Sequence, residues 1–315
     1  MDHGTKLWCN GEIIPWEQGW KIHVMNLCLH YGLPPFEGIP YYRTASGRRV
    51  VFRLIDHLAR LYDSAVFIGI RIPYVIEELV EAIKELIRRD IFEEGYIRPI
   101  VTFGDQMAGL HTPLSTLPVS VSIGLFRWES PEKTAIYAEL SPWRRIDETT
   151  TSPKRKLAGN YLNSVLAHQH AAREGFDDAI LLDRDGYLAE ASGANLFLYA
   201  GGRWLTPPLS APILAGITRN TILTIMRDNQ GADYRCPVVE IPIKPEIILS
   251  CEEMFLCGTA VEVLPVTAVG LHSGSVIKIG NGFPGPMTRQ IMNSYDDVVH
   301  GRTPQYIERW LTFVD

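Results

Sequence analysis

The chain has 315 residues, 46% hydrophobic and 21% charged, with 36 Asp and Glu against 30 Lys and Arg and a formal net charge of −6. That is enough chain for about two domains and a large core, its acidic balance argues against a nucleic-acid partner, which draws affinity from clustered cations, and no apolar run approaches the roughly 18 to 20 residues of a membrane span. The N-terminal M-D-H-G-T-K-L-W lacks the pattern of a secretory signal, and the five cysteines are odd in number with no C-x-x-C pair, so the expectation is a cytoplasmic protein with reduced thiols and no metal site.

In chain order, residues 1–127 read as a small α/β domain. P-Y-Y-R-T-A-S-G-R-R-V-V-F-R, 40–53, predicts a hairpin around Ser46-Gly47. Leu54, Leu58, Leu61 and Ala65 then recur at helical spacing, and a second amphipathic helix runs over 75–87. Strand-like segments follow at 97–103 and 119–126. Residues 128–136, containing S-P-E-K-T, are the expected interdomain linker.

Residues 137–315 read as a larger domain. A helix over 160–174 is expected to bury Leu162, Val165 and Leu166 and to stop at Gly175, where glycine suits a left-handed cap. Short strands separated by R-D-G, G-A-N and G-G then predict a β-meander. His168 and His170 are two apart on the helix and make a poor metal pair. The class is α+β.

The chemistry is carried by four segments. P-K-R-K-L-A-G-N-Y-L-N-S begins at Pro153; its cations fit a solvated patch, but the cluster runs into small residues that allow close backbone approach, and Lys156 stands nearest to them. A desolvated lysine amine, or one beside a cation such as Lys154 or Arg155, is a nucleophile toward carbonyls. Glu190 lies in Y-L-A-E-A-S-G-A-N-L-F and needs a cationic or hydrogen-bonding partner if buried. L-A-G-I-T-R-N-T-I puts Gly216, Ile217 and Thr218 at a helix start, and C-G-T-A-V-E puts Gly258, Thr259 and Ala260 at a strand-to-turn nest; both suit anions. Each segment alone fits ordinary turn chemistry. Together they suggest pyridoxal 5'-phosphate, with Lys156 on its aldehyde, Glu190 on its ring nitrogen and the helix start on its phosphate.

These motifs, in this order, resemble the class IV (fold-type IV) pyridoxal-phosphate aminotransferases, most closely the branched-chain amino acid aminotransferases, from about Leu7 to Gln290. The resemblance implies a small N-terminal domain and a larger one with a β-barrel-like core. It makes Lys156 the Schiff-base lysine and Tyr161 the tyrosine near the cofactor's phenolic oxygen. It places Glu190, with Gly193 and Asn195, at the pyridine nitrogen. It assigns the phosphate to Arg60 of F-R-L-I-D-H-L-A-R-L-Y-D-S-A, to Leu214, Ile217 and Thr218, and to Thr259.

The same resemblance implies a substrate pocket of Tyr31, Phe36 and Gly38 from L-H-Y-G-L-P-P-F-E-G-I, Tyr96 and Arg98 from G-Y-I-R-P-I, Leu110 and Trp128, with the α-carboxylate at Thr259 and Ala260. Aromatic rings would suit Leu, Ile and Val, and Arg98, with Tyr31 beside it, would accept the distal carboxylate of 2-oxoglutarate. The implied activity is transamination of branched-chain L-amino acids with 2-oxoglutarate, in a homodimer or a multiple of one. Pro40 and A-G-L at 108–110 depart from the family's usual residues. The alternatives are a D-amino acid or R-selective amine transaminase of the same fold, or a non-catalytic pyridoxal-phosphate carrier.

Overall fold

The computed structural model describes residues 2–19, 21–104, 109–127, 134–228 and 236–315. They form two compact units. The first comprises Met1–Glu129, Arg155–Gly159 and Asp297–Asp315, and the second Ser130–Lys154 and Asn160–Asp296. Residues 155–159 and 297–315 thus group with the N-terminal part of the chain, whereas the sequence division assigns them to 137–315. The reason is hydrogen bonding that no local pattern announces: Ala158 and Gly159 N–H donate to the carbonyls of Pro34 and Gly32, and Val314 N–H to Arg49. Of the expected linker 128–136, residues 128–133 lie outside the described residues.

The first unit is built on a seven-stranded sheet. Its strands are β1 (His3–Cys9), β2 (Glu12–Pro15), β3 (Ile39–Arg43), β4 (Arg49–Phe52), β5 (Gly95–Phe103), β6 (Val119–Arg127) and the C-terminal Leu311–Phe313. The spatial order is the C-terminal strand, then β4, β3, β5, β6, β1 and β2, with every pair antiparallel. The β3–β4 hairpin turns at Gly47, whose φ of 84° is the left-handed conformation that glycine adopts without strain. Helices α1 (Leu27–Tyr31), α2 (Leu54–Phe67) and α3 (Ile76–Arg88) accompany the sheet. Leu54, Leu58, Leu61 and Ala65 of α2 are buried with Leu79, Ile83 and Leu86 of α3 and with Ile97, Val101, Val121 and Ile123 of the sheet. In β5 the alternation buries Ile97 and Val101 in this core and sends Tyr96 and Arg98 to the other face.

The second unit holds a nine-stranded mixed sheet. Its strands are β7 (Ile136–Arg144), β8 (Asp178–Leu182), β9 (Leu188–Ala191), β10 (Asn195–Ala200), β11 (Arg203–Thr206), β12 (Val238–Glu240), β13 (Glu253–Gly258), β14 (Glu262–Gly270) and β15 (Val276–Lys278). The order runs β12, β11, β10, β13, β14, β7, β8, β9, with β15 on β14. The edge strand β9 bridges through Leu188 to Ile243, just beyond the opposite edge strand β12, so the sheet curls back on itself around Leu196, Leu198, Leu256 and Val266. This is the expected barrel-like core. Its tight turns follow the glycines of R-D-G and G-G, with Gly186, Gly201 and Gly202 all at positive φ.

Helix α4 (Tyr161–Arg173) lies on β7 and β8 and is followed by Gly175 at φ 86°. Its burial corrects the expectation. Leu162, Val165 and Leu166 are exposed, and the buried face is Ser164, Ala167 and Ala171 packed on Ala179 and Leu181. Small side chains allow the helix backbone to approach the sheet closely, so shape rather than hydrophobicity selects this face. His168 and His170 each pair with one carboxylate, Asp178 and Glu139. No cluster able to hold a metal occurs among the described residues.

Candidate active site

In the first unit the Lys156 segment is threaded between two others. Its carbonyl accepts from Phe36 N–H at 3.2 Å, its own N–H donates to Ser64 Oγ of α2 at 3.0 Å, and Leu157 bridges Pro35. The small residues after Lys156 do allow a close approach, and what approaches is Gly32: a Cβ on Gly32 would lie 2.9 Å from the Gly159 Cα. The Lys156 side chain is buried, with Nζ 5.1 Å from the Phe36 ring centroid. Lys154 and Arg155 are engaged elsewhere. Lys154 pairs with Glu148 at 3.4 Å and Arg155 with Asp63, so each of these two cations has its own carboxylate.

Phe36, Gly38, Tyr96 and Arg98 lie together in the first unit. The Arg98 guanidinium sits 5.0 Å from the Phe36 ring centroid and 5.3 Å from that of Tyr96. A Cβ on Gly38 would overlap the Tyr96 hydroxyl, so only glycine admits that ring. Arg98 Nε is buried with no hydrogen-bond partner among the described residues. Tyr31 is half exposed, its ring 6.2 Å from that of His30, and Leu110 is 71% exposed. Trp128 and Ala108 lie outside the described residues.

Arg60 of α2 is tied to a residue the sequence argument passes over. Glu37, wholly buried between Phe36 and Gly38, accepts from Arg60 Nε at 2.6 Å and Nη2 at 2.9 Å and from His57 Nδ1 at 2.8 Å. Burial would raise the Glu37 carboxyl, but Arg60 and His57 outweigh it and hold it well below the carboxylate range. Burial lowers His57 despite the neighbouring Glu37, so the contact is a hydrogen bond from neutral imidazole. The i, i+3 spacing of His57 and Arg60 is a visible signal of a shared helix face. Ser64, one turn on, donates to the Arg60 carbonyl at 2.8 Å.

In the second unit three motifs meet at Glu190. The buried carboxylate accepts from Asn195 Nδ2 at 3.1 Å, from Leu214 N–H at 3.1 Å and from Arg145 Nε at 2.7 Å. These donors compensate a charge that burial alone would penalise. Asn195 also donates to the Leu214 carbonyl at 3.0 Å, and a Cβ on Gly216 would strike Asn195, which brings the start of α5 (Ile217–Asp228) against this cluster. Thr218 is buried in the first turn of α5. Gly258 lies against the Gly193 carbonyl, so the turn carrying Thr259 and Ala260 adjoins the same segment. Tyr161 opens α4, half-buried, and Asn163 two residues later accepts from Arg145 Nη1 at 3.3 Å. Arg145 and Asn163 are absent from the sequence expectation, because nothing local in W-R-R-I-D distinguishes one arginine from the next.

Each unit by itself offers groups that suit a phosphorylated pyridine aldehyde: the first a buried amine, and the second a buried carboxylate held by three donors with a helix N-terminus and a backbone turn at the same segment. Residues 36–269 match the family model of class IV amino-transferases. The branched-chain-amino-acid aminotransferase of Pseudomonas aeruginosa is 37% identical over 318 residues, 99% of this chain and 98% of that one. Two solved structures superimpose along the chain. The Thermoproteus uzoniensis branched-chain aminotransferase with norvaline has a TM-score of 0.89 at 33% identity, covering 99% of this chain and 100% of its own. A T.th. branched-chain amino acid aminotransferase complexed with N-(5'-phosphopyridoxyl)-L-glutamate has a TM-score of 0.89 at 36% identity, covering 100% of both. The chain belongs to the class IV aminotransferases.

Proposed function

We propose that the protein is a pyridoxal-phosphate-dependent branched-chain-amino-acid aminotransferase that moves the amino group of Leu, Ile or Val to 2-oxoglutarate, giving the 2-oxo acid and L-glutamate. The observation that carries the substrate assignment is Arg98, a half-buried cation beside two aromatic rings, whose buried Nε has no partner among the described residues. The rings of Phe36 and Tyr96 exclude water and suit an aliphatic side chain, and Arg98 gives a dicarboxylate its counter-charge. Norvaline and phosphopyridoxyl-glutamate in the two relatives are the corresponding pair of ligands.

Pyridoxal 5'-phosphate, when bound, supplies an electron-withdrawing ring and an aldehyde that carries the amino group between donor and acceptor. Lys156 would hold that aldehyde, and its free amine would take and return a proton at the substrate α-carbon. Glu190 would keep a proton on the ring nitrogen, with Asn195 and Gly193 shaping its turn, and Tyr161 would stand at the phenolic oxygen. Arg60, Leu214, Ile217, Thr218 and Thr259 hold the phosphate, the helix start doing so through its first-turn amides. Thr259 and Ala260 amides bind the α-carboxylate.

A homodimer belongs to the same reading, with the partner's copy of the Tyr31 segment and of the loop containing Leu110 completing each pocket; the exposure of both residues within one chain supports it. All five cysteines are free thiols, in keeping with a reducing, cytoplasmic location. No helix among the described residues is long and apolar enough to cross a membrane.

The deciding experiment adds L-leucine, D-alanine and (R)-amines in turn to the purified yellow protein. A visible band that shifts with L-leucine, and regains its form with 2-oxoglutarate, is the expected result. A response to D-alanine alone moves the protein to the D-amino acid branch, and no response to any donor leaves a carrier. Borohydride reduction followed by peptide mapping is expected to place the pyridoxyl group on Lys156, and a label on Lys154 would refute the lysine assignment.

A further inference from the structure

Glu37 has no part in the proposed reaction, yet it is a carboxylate with no solvent exposure inserted between two pocket residues. Its two oxygens serve four donors: Arg60 Nε at 2.6 Å, Arg60 Nη2 at 2.9 Å, His57 Nδ1 at 2.8 Å and its neighbour's amide, Gly38 N–H, at 3.3 Å. Four donors use the acceptor capacity of an ionised carboxylate, so Glu37 is not arranged to receive a ligand itself. What it does is remove freedom. Two parallel bonds fix the plane of the Arg60 guanidinium. Below them, His57 Nδ1 braces the same oxygen that accepts Arg60 Nη2, and the Glu37 N–H is tied to the Pro99 carbonyl at 3.0 Å, next to Arg98 in β5. One turn along α2, Ser64 connects the Arg60 carbonyl to the Lys156 N–H.

We propose that Glu37 is a positioning residue: its carboxylate clamps Arg60 and the Gly38 amide together, holding the phosphate-gripping guanidinium in register with the wall of the substrate pocket. The proposal rests on the reading of Arg60 as a phosphate ligand. It also opposes a simple charge argument. A carboxylate against Arg60 offsets part of the cation's attraction for phosphate, so if charge alone governed, a neutral residue at 37 would tighten binding. If position governs, the neutral residue loosens it.

The sign of the change therefore tests the idea. Dissociation constants of the cofactor-free enzyme for pyridoxal 5'-phosphate and for phosphate-free pyridoxal are measured in the wild type, Glu37→Gln, Glu37→Asp, Arg60→Leu and the Glu37→Gln/Arg60→Leu double variant. Expected are a loss of about tenfold or more for the phosphorylated ligand in Glu37→Gln, an unchanged constant for pyridoxal, and a double variant no weaker than Arg60→Leu. Glu37→Asp keeps the charge but is too short to chelate the guanidinium, so it is expected to lose phosphate affinity as well, and it carries the test if the Gln variant fails to fold. Tighter or unchanged binding of the phosphorylated ligand in the folded Glu37 variants, or additive losses in the double variant, overturns the proposal while leaving Arg60 as phosphate ligand. An Arg60→Leu enzyme that still discriminates the two ligands as the wild type does overturns the phosphate reading itself, and the proposal with it.

Discussion

Arg145 Nε donates to Glu190 Oε1 at 2.7 Å, and the two side chains retain only 8% and 5% of their exposure. A pair so buried is weak evidence for stability, but breaking it strands a charge. Arg145→Met is therefore expected to destabilise the protein by about 3–5 kcal/mol. Adding Glu190→Gln should recover much of that loss in a denaturant titration while turnover stays low, since the ring nitrogen then has no anion. Glu190→Gln alone also leaves a buried charge, that of Arg145, without its counter-ion, although the amide oxygen still accepts from Nε, so it should lower stability as well as turnover. Near-wild-type turnover in that variant would make Glu190 structural.

Gly38 and Tyr96 cannot both keep their places if residue 38 gains a methyl group. Overpacking of this kind costs about 1–3 kcal/mol. For Gly38→Ala the expected result is a raised KM for L-leucine with unchanged affinity for pyridoxal 5'-phosphate. An unchanged KM would remove the Tyr96 ring from the pocket wall.

Arg98→Leu is expected to separate the two substrates. Losing the counter-charge of a desolvated carboxylate costs about 3–5 kcal/mol, so KM for 2-oxoglutarate should rise by two orders of magnitude or more, and that for L-leucine only slightly. Hydrophobic 2-oxo acids should remain usable acceptors. Equal losses with both substrates would show that Arg98 supports only the fold.

The Glu37 cluster sets an acid limit. Burial lowers His57 below its ordinary 6.5, so below that pH the unfolded chain binds a proton that the folded one refuses, and stability falls. Glu37 is held below its ordinary 4.5, so its contribution is complete above that pH and is lost as pH falls through the folded value. Both effects have the same sign. Thermal midpoints measured from pH 7 down to 4 should decline, and His57→Asn, which keeps a donor to Glu37 without a titrating ring, should flatten the limb between pH 6.5 and 4.5. A wild-type midpoint that is flat over this range would mean that His57 charges as readily folded as unfolded.

Helix, strand and turn were legible wherever the local pattern was strong. The period of α2, the Gly47 hairpin and the glycines of the β-meander all specify backbone directly, because spacing and positive φ are properties of the chain itself. The exposed apolar side chains of α4 were not, since a helix's buried face is chosen by what it lies on, here a sheet approached through Ala167 and Ala171.

The same division runs through the site. Lys156, Glu190, Gly216 and Gly258 could be singled out from sequence, because an amine beside small residues, a carboxylate in a strand and glycines at turns carry their chemistry in their immediate neighbours, whereas Arg98 came only with the family resemblance. The partners of these residues could not. Glu37 with Arg60, Arg145 with Glu190 and Ser64 with the Lys156 amide are separated by 23, 45 and 92 positions. Each partnership exists only because folding removes both groups from water, after which a buried charge or amide must find a donor or acceptor in whatever segment the topology brings beside it.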